Sequence, residues 1–148
     1  MQLAASSLKQ KLVSQAIQDP LFKNALQDAA RNIVNSSKSA PNEATIESTF
    51  ELSLYAVMRD IGISFNPQKE IPIKTRRHAA FGRTDSRIGA LIIEYKQPST
   101  LRTKAMQDSA VRQITDYAYA LSSELENEIV GYLTDGTKVL ELRVGPDG

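Results

Sequence analysis

The chain has 148 residues, of which 41% are hydrophobic and 24% are charged, and its formal net charge is +1. It contains no cysteine and one histidine, His78, which leaves almost no material for disulfide frameworks, cysteine nucleophiles, tetrahedral zinc sites or a serine–histidine–acid triad. No apolar run approaches the roughly 18 residues of a membrane span, and the N-terminus has no signal-peptide core. We therefore expect a cytoplasmic protein whose chemistry depends on carboxylates and lysines.

The first 40 residues predict two helices. Apolar residues recur at intervals of three and four from Leu3 to Val34, and Pro20 marks the break between the two helices. The polar segment 35–42 predicts a linker. We interpret 1–40 as an N-terminal helical extension and 41–148 as the main domain.

A third helix is predicted from Glu43 to Ile61. Its apolar residues lie on one face at helical spacing, and Gly62 supplies the stop signal at its C-terminal end. Three glutamates lie on this helix, namely Glu43, Glu47 and Glu51.

After Gly62 the hydrophobic period changes to two, which is typical of strands. The predicted strands are 63–65, 69–74, 79–85 and 90–96, followed by a helix over 104–125 and two strands, 128–133 and 138–144. This order predicts an α/β or α+β fold with a mixed central β-sheet flanked by helices. The chain ends in Gly-Pro-Asp-Gly directly after a strand, which favours a domain of a larger protein.

Charge is unevenly distributed along the chain. Residues 66–104 carry nine basic and three acidic side chains, whereas 105–148 carry three basic and eight acidic ones. A basic central third could follow a phosphate backbone, although solvated strand edges and loops would explain it equally well.

The residues that carry chemistry are Asp85, Glu94 and Lys96. Side chains two apart on a strand share a face, so Glu94 and Lys96 point the same way and Tyr95 points the other. The strand is otherwise apolar, which predicts burial on both faces and makes its charges costly unless they are paired or bind an ion. An even number of residues in the turn around 87–89 would bring Asp85 to the same face, whereas an odd, unbulged turn would not.

Two carboxylates and a strand carbonyl are hard oxygen ligands suited to Mg²⁺ or Mn²⁺. Such an ion lowers the pKa of a bound water and stabilises charge on a phosphate, while a lysine can orient the nucleophile. The pattern therefore predicts phosphodiester hydrolysis. The alternative is a salt bridge between Glu94 and Lys96 that has no further role.

These segments resemble the Asp…Glu-x-Lys core of the PD-(D/E)XK nuclease superfamily, through GRTD at 82–85 and LIIEYK at 91–96. The later helix contains Gln113 and Tyr117, similar to the Gln-x-x-x-Tyr motif of RecB-type and restriction-type members. The resemblance covers about residues 43–144. It departs from the family pattern at Thr84, where the family has proline.

The resemblance implies a restriction-endonuclease-like fold and a divalent-metal-dependent DNA nuclease. It makes Glu47, Asp85, Glu94 and Lys96 the expected catalytic residues, and the same three carboxylates the ligands of Mg²⁺ or Mn²⁺. The expected DNA-binding residues are Arg83, Arg102, Lys104, Gln113 and Tyr117. DNA is the expected partner and a membrane is not; further domains of a larger protein and a second copy of the chain stay open.

In nucleases of this resemblance, a glutamate of the first core helix reaches the metal or its water. On a helical wheel centred on Phe50, Glu47 lies at about 60° and Glu51 at about 100°. Only a side chain at the margin of the buried face can reach the sheet, which favours Glu47. Glu51 is the runner-up because its spacing to Gly62 resembles that of archaeal junction resolvases. Glu43 lies near the centre of the face but beside the linker, where the helix dipole alone would favour a carboxylate.

Two other classes of function stay open. The chain could be a DNA-binding or assembly module that keeps the fold without turnover, although neither the lysine nor a carboxylate is lost. It could also be an interaction domain in which Glu94 and Lys96 only pair. Metal titration and a nuclease assay separate these alternatives.

Overall fold

The computed structural model describes residues 2–73 and 82–147, with side chains described within 10–70 and 84–147. These ranges contain four helices and a five-stranded mixed sheet, which agrees with the α/β or α+β class expected from the sequence. Their order is α1 (Gln2–Gln18), α2 (Pro20–Lys38), α3 (Glu43–Asp60), β1 (Gln68–Ile73), β2 (Gly82–Ile88), β3 (Leu91–Tyr95), α4 (Lys104–Leu125), β4 (Ile129–Thr134) and β5 (Val139–Val144). None of the helices in the described ranges has the length and apolar character needed to cross a membrane.

The five strands form one mixed sheet whose spatial order, β1-β2-β3-β4-β5, is the same as their order in the chain. Neighbouring strands are antiparallel, except that β3 and β4 are parallel. A parallel pair needs a crossover connection, and α4 provides it. The crossover places α4 against the sheet face that includes Ile92.

Each face of β3 packs against a different helix. Ile92 belongs to the larger hydrophobic cluster, together with Ile114 and Leu121 of α4. On the opposite face, Ile93 and Tyr95 pack with Ile46 of α3. The strand is therefore covered on both sides, as its apolar sequence predicts, and any charged side chain within it lies close to protein rather than water.

The end of α3 explains why no strand forms at 63–65. Gly62 has a φ of +72°, and its N–H donates to the Arg59 carbonyl, while the Ile63 N–H donates to the Met58 carbonyl at 2.9 Å. This is the Schellman pattern of a helix C-terminus. The prediction of a strand here was wrong because the Ile63 amide belongs to the helix cap and none of the described strands pairs with the segment.

The linker predicted at 35–42 is shorter than expected, because α2 continues to Lys38. Ser37 is 1% exposed and lies against the turn between β4 and β5. A methyl group on Gly136 would lie 1.8 Å from Ser37 Oγ, so the helix and this glycine are in close contact. Tertiary packing thus extends the helix through serines whose intrinsic helix preference is low.

Three helices begin at side chains that accept backbone hydrogen bonds. Asp19 accepts from the Leu21 amide, Asn42 from the Thr45 amide and Thr103 from the Met106 amide. Such caps satisfy amides that have no partner within the helix. Asn42 thereby fixes the start of α3, and with it the position of Glu43.

Candidate active site

The loop between β2 and β3 sets the register of the candidate site. Ile88 pairs with Leu91, so the loop consists of Gly89 and Ala90, with φ +58° at Gly89. The turn lies slightly later than the predicted 87–89, but its even length satisfies the condition derived from the sequence. Continuing the register from the Ser86–Ile93 pair places Asp85 opposite Glu94 on the same face of the sheet.

Pairing between β2 and β3 ends at Ser86 and Ile93, although both strands continue. Beyond this point the two carboxylates take the place of backbone acceptors. The Tyr95 amide donates to Asp85 Oδ2 at 2.7 Å, and the Asp85 amide donates to Glu94 Oε1 at 3.3 Å. These reciprocal bonds hold each carboxylate by one oxygen, and the other oxygen of Glu94, Oε2, faces Lys96.

Lys96 completes the group and connects it to α4. Its Nζ lies 3.7 Å from Glu94 Oε2 and donates to Gln113 Oε1 at 3.2 Å. The Gln113 amide nitrogen in turn donates to the Tyr117 hydroxyl at 3.0 Å. The glutamine and tyrosine identified in the sequence are thus joined to the lysine, and the three side chains form one hydrogen-bonded chain.

Burial dominates the electrostatics of the two carboxylates. Glu94 is 2% exposed, and burial, followed by the nearby Asp85 charge, raises its pKa to about 8. The Lys96 ammonium acts in the opposite direction but does not offset these effects. Burial also raises the pKa of Asp85, against the lowering effects of the Tyr95 amide and Lys96. The pair therefore holds a proton more tightly than two solvated carboxylates would.

The three helix glutamates reach different places. Glu43 Oε1 accepts from the Gln97 amide at 3.2 Å, and its charge contributes to the raised pKa of both Asp85 and Glu94. Glu47 forms an ion pair with Lys69, and its charge also contributes to the raised pKa of Asp85.

Glu51 lies on the face of the sheet that carries Tyr95. It pairs with Lys69 and accepts hydrogen bonds from Ser86 Oγ and the Tyr95 hydroxyl. Glu43 is thus among the main contributors to the raised pKa of both site carboxylates, and Glu47 is among those for Asp85.

The donor set available to a metal is small. Within the described parts of the chain, no group of three or more aspartate, glutamate, histidine or cysteine side chains is arranged to hold an ion. Asp85 and Glu94 supply two carboxylates, to which a strand carbonyl can add a third oxygen. This set fits Mg²⁺, which commonly binds one or two carboxylates and keeps several waters.

The chain matches no protein-family model, no curated protein and no solved structure.

Within the described residues, the basic side chains predicted to contact DNA do not form one group, whereas the two carboxylates do. Arg102 is exposed in the segment between β3 and α4 and lines a cavity of about 350 Å³ together with Lys38 and Lys138. Lys104, the first residue of α4, is exposed and forms an ion pair with Asp108 at 2.8 Å. Arg83 belongs to β2, but its side chain and the basic segment 74–78 lie outside the described residues.

Little in the sequence indicates the contacts behind the site. Lys69 counted only as part of the basic third, yet its ammonium contacts Glu47, Glu51 and Ser86. Glu43 is one of three candidates by sequence, and a carboxylate at the start of a helix is favourable in any case. Its position near the centre of the apolar face was the signal that could have identified it.

Proposed function

We propose that the chain is a divalent-metal-dependent nuclease domain that hydrolyses phosphodiester bonds in DNA. One observation carries the proposal: Asp85 and Glu94 hold each other through backbone bonds inside the sheet, with Lys96 beside Glu94. A surface salt bridge needs neither the second carboxylate nor the burial. A glutamate-bearing helix before the strands and the helix with Gln113 and Tyr117 after them agree with the PD-(D/E)XK resemblance.

The energetic cost of burying two carboxylates side by side also supports the proposal that they bind a cation. Two like charges in a region of low dielectric repel each other, and burial removes the water that would stabilise them. One lysine at 3.7 Å leaves the pKa of Glu94 at about 8. A divalent cation would stabilise both carboxylates in their ionised form, so an arrangement that is costly without the ion becomes favourable with it.

In the proposed mechanism, Asp85 and Glu94 would hold the ion. When bound, Mg²⁺ or Mn²⁺ supplies an activated water and stabilises negative charge on the phosphate. Lys96 orients the attacking oxygen and offsets charge at the phosphate. Gln113 fixes the lysine by accepting from Nζ, and Tyr117 fixes the glutamine. The residues of α4 therefore determine where the ammonium points.

The direct test incubates the full chain with supercoiled plasmid and short duplexes in Mg²⁺, Mn²⁺ or EDTA. We expect nicking or degradation with either ion and none with EDTA, together with a heat of Mn²⁺ binding in calorimetry. DNA binding and Mn²⁺ binding without cleavage would favour the non-catalytic module. A chain that binds neither Mn²⁺ nor DNA would favour the interaction domain in which Glu94 and Lys96 only pair.

DNA affinity should be modest and strongly dependent on salt. The basic third spans 66–104, but eight acidic side chains follow it, so few phosphates can be neutralised at once. We expect the logarithm of the affinity to fall with the logarithm of salt concentration with a slope of about −2 to −4, or two to four phosphates. Fluorescence anisotropy between about 50 and 200 mM salt measures it. Tight binding that salt does not change would exclude 66–104 as the phosphate-facing surface.

A second prediction distinguishes the helix glutamates. The helical wheel favours Glu47, whereas the contacts favour Glu43, because its carboxylate lies beside the end of β3 and acts on both site carboxylates. We expect Glu43→Gln to lower the cleavage rate by about 10- to 100-fold, the usual cost of losing a group that supports a metal site. Glutamine keeps the acceptor for the Gln97 amide and removes only the charge.

Glu47→Gln should lower the rate less, because Glu47 is committed to its ion pair with Lys69. Asp60→Asn is the matched control, since Asp60 ends the same helix and forms an exposed ion pair with Arg59. Single-turnover cleavage assays compare all three variants. A larger loss for Glu47→Gln than for Glu43→Gln would show that the wheel position is the better guide.

A further inference from the structure

We infer that Glu51 is a positioning residue that sets the separation of Asp85 and Glu94 from the opposite face of the sheet. The inference rests on the proposed nuclease function, which supplies the reaction that this separation would control. Glu51 itself points away from the two site carboxylates and contacts neither of them.

Glu51 connects four elements at one point. It extends from α3, and its Oε1 accepts from Ser86 Oγ of β2 at 2.5 Å and from the Tyr95 hydroxyl of β3 at 3.2 Å. Its Oε2 pairs with Lys69 of β1, which also donates to Ser86 Oγ at 3.1 Å. We call Glu51, Lys69, Ser86 and Tyr95 the rear cluster, because it lies behind the site.

The rear cluster lies where the backbone hydrogen bonding between β2 and β3 has ended. Ladder pairing of β2 with β3 ends at Ser86 and Ile93, immediately before Asp85 and Glu94. Ser86 is the chain neighbour of Asp85, and Tyr95 lies between Glu94 and Lys96. By accepting from both, Glu51 Oε1 holds the separating strands together one residue away from each carboxylate. The two strands are thus joined by side chains on both faces at this level.

The surroundings make these contacts rigid. Ser86 and Tyr95 are 0% and 1% exposed, and the Phe50 ring packs edge-on against Tyr95 with centroids 5.7 Å apart. The Tyr95 hydroxyl is the donor in its bond to Glu51 Oε1. Hydrogen bonds to a charged acceptor in a buried setting are stronger than those between neutral groups. Losing Glu51 would leave both hydroxyls without this acceptor.

The contacts of Glu51 matter for the chemistry because they set the separation of Asp85 and Glu94. A divalent ion held by two carboxylates and a nucleophile oriented by Lys96 require positions accurate to a fraction of an ångström. Without Glu51, β2 and β3 can separate further at Asp85, because they are then joined there by the two reciprocal bonds and the direct Ser86–Tyr95 contact alone. We expect lower turnover with little change in DNA affinity, since Glu51 lies on the sheet face opposite to the two site carboxylates.

The test compares Glu51→Ala, Glu51→Gln and the control Asp60→Asn in the full chain. A misplacement of about 1 Å can cost about 10²-fold in rate, so we expect Glu51→Ala to lower kcat by roughly that factor and to leave KM within about threefold. Glu51→Gln keeps an oxygen acceptor for Ser86 and Tyr95 and should recover most of the rate. Asp60→Asn should cleave like the wild type.

Hydrogen exchange measured by NMR supplies a readout that does not depend on activity. The Tyr95 amide donates to Asp85 Oδ2, whereas the Lys96 amide donates to the Thr134 carbonyl at 2.8 Å on the other side of β3. We expect Glu51→Ala to accelerate exchange of the Tyr95 amide by about tenfold or more and to leave the Lys96 amide unchanged. A merely structural role would accelerate both amides together.

These readouts keep the two proposals separate. If the wild type neither binds Mn²⁺ nor cleaves DNA, the nuclease proposal fails, while selective exchange at Tyr95 would still establish that Glu51 controls the strand separation. If the wild type cleaves but Glu51→Ala retains its kcat and its Tyr95 exchange rate, the positioning role is wrong. Should Glu51→Ala not fold, Tyr95→Phe and Ser86→Ala each remove one of the two hydroxyl contacts and are expected to give smaller losses in the same direction.

Discussion

Lys96→Met is expected to lower DNA cleavage by at least about 10²-fold, the usual contribution of a positioned side chain that orients or deprotonates a nucleophile. Methionine keeps the apolar stem of the side chain and removes the ammonium group that donates to Gln113. Folding should survive at pH 6, because Glu94, with a pKa of about 8, is protonated there and does not need the ammonium beside it. Thermal unfolding at about pH 6 in EDTA measures folding, and single-turnover cleavage at about pH 8 with saturating Mn²⁺ measures activity.

Lys23→Met is the matched control, since Lys23 lies on α2 and contacts only Gln18 among the described side chains. Asp85→Asn and Glu94→Gln should additionally abolish the heat of Mn²⁺ binding, because each removes a carboxylate from the donor set. Wild-type cleavage by Lys96→Met would contradict the mechanism. An unchanged Mn²⁺ titration in both carboxylate variants would favour the simple salt bridge.

In EDTA, the free energy of unfolding should fall as pH rises from about 5 to about 8. The pKa of Glu94 is about 8 in the folded chain, above its ordinary value of 4.5, so between these values the folded state holds a proton that the unfolded state has released. Raising the pH therefore favours unfolding. The loss should be on the order of a few kcal/mol, and it should level off above pH 8. The raised pKa of Asp85 acts in the same direction.

Urea denaturation at pH 5, 6.5, 8 and 9 measures this dependence. Glu94→Gln should flatten most of it, whereas Glu128→Gln, which changes an exposed ion pair with Arg143, should keep the wild-type slope. Saturating Mn²⁺ should oppose the fall, because the ion binds the ionised carboxylates. A wild-type stability that is constant or rises between pH 5 and 8 would show that Glu94 is not held in the environment described.

The sequence correctly predicted the elements whose apolar residues recur with a clear helical or strand period. The helix carrying Phe50 and the strand LIIEYK lie almost where their patterns place them. The face shared by Asp85 and Glu94 also followed from strand alternation, once the loop proved to contain two residues. These features are local, so a single chain segment contains the information that determines them.

Other features depend on contacts between distant segments. Ser37 is helical because it packs on Gly136, and Ile63 is not in a strand because its amide completes a helix cap. A helical wheel gives the angle of Glu43, Glu47 and Glu51 but not the lateral position of α3 over the sheet. That position brings Glu43 to the end of β3 and brings Glu51 to the other three residues of the rear cluster.

The distances along the chain between the residues that meet at the site also have a consequence for the folding pathway. Asp85 and Glu94 are nine residues apart on one hairpin, Lys96 and Gln113 are 17 apart, and Glu51 is 44 residues from Tyr95. Closing a longer loop costs more entropy and takes place later when local contacts dominate folding. The carboxylates should therefore meet first, before the lysine is fixed by α4 and before the rear cluster forms. During synthesis, the residues needed for the carboxylate pair are complete about 20 positions before Gln113 emerges, so an early hairpin already carries the most costly charges of the fold.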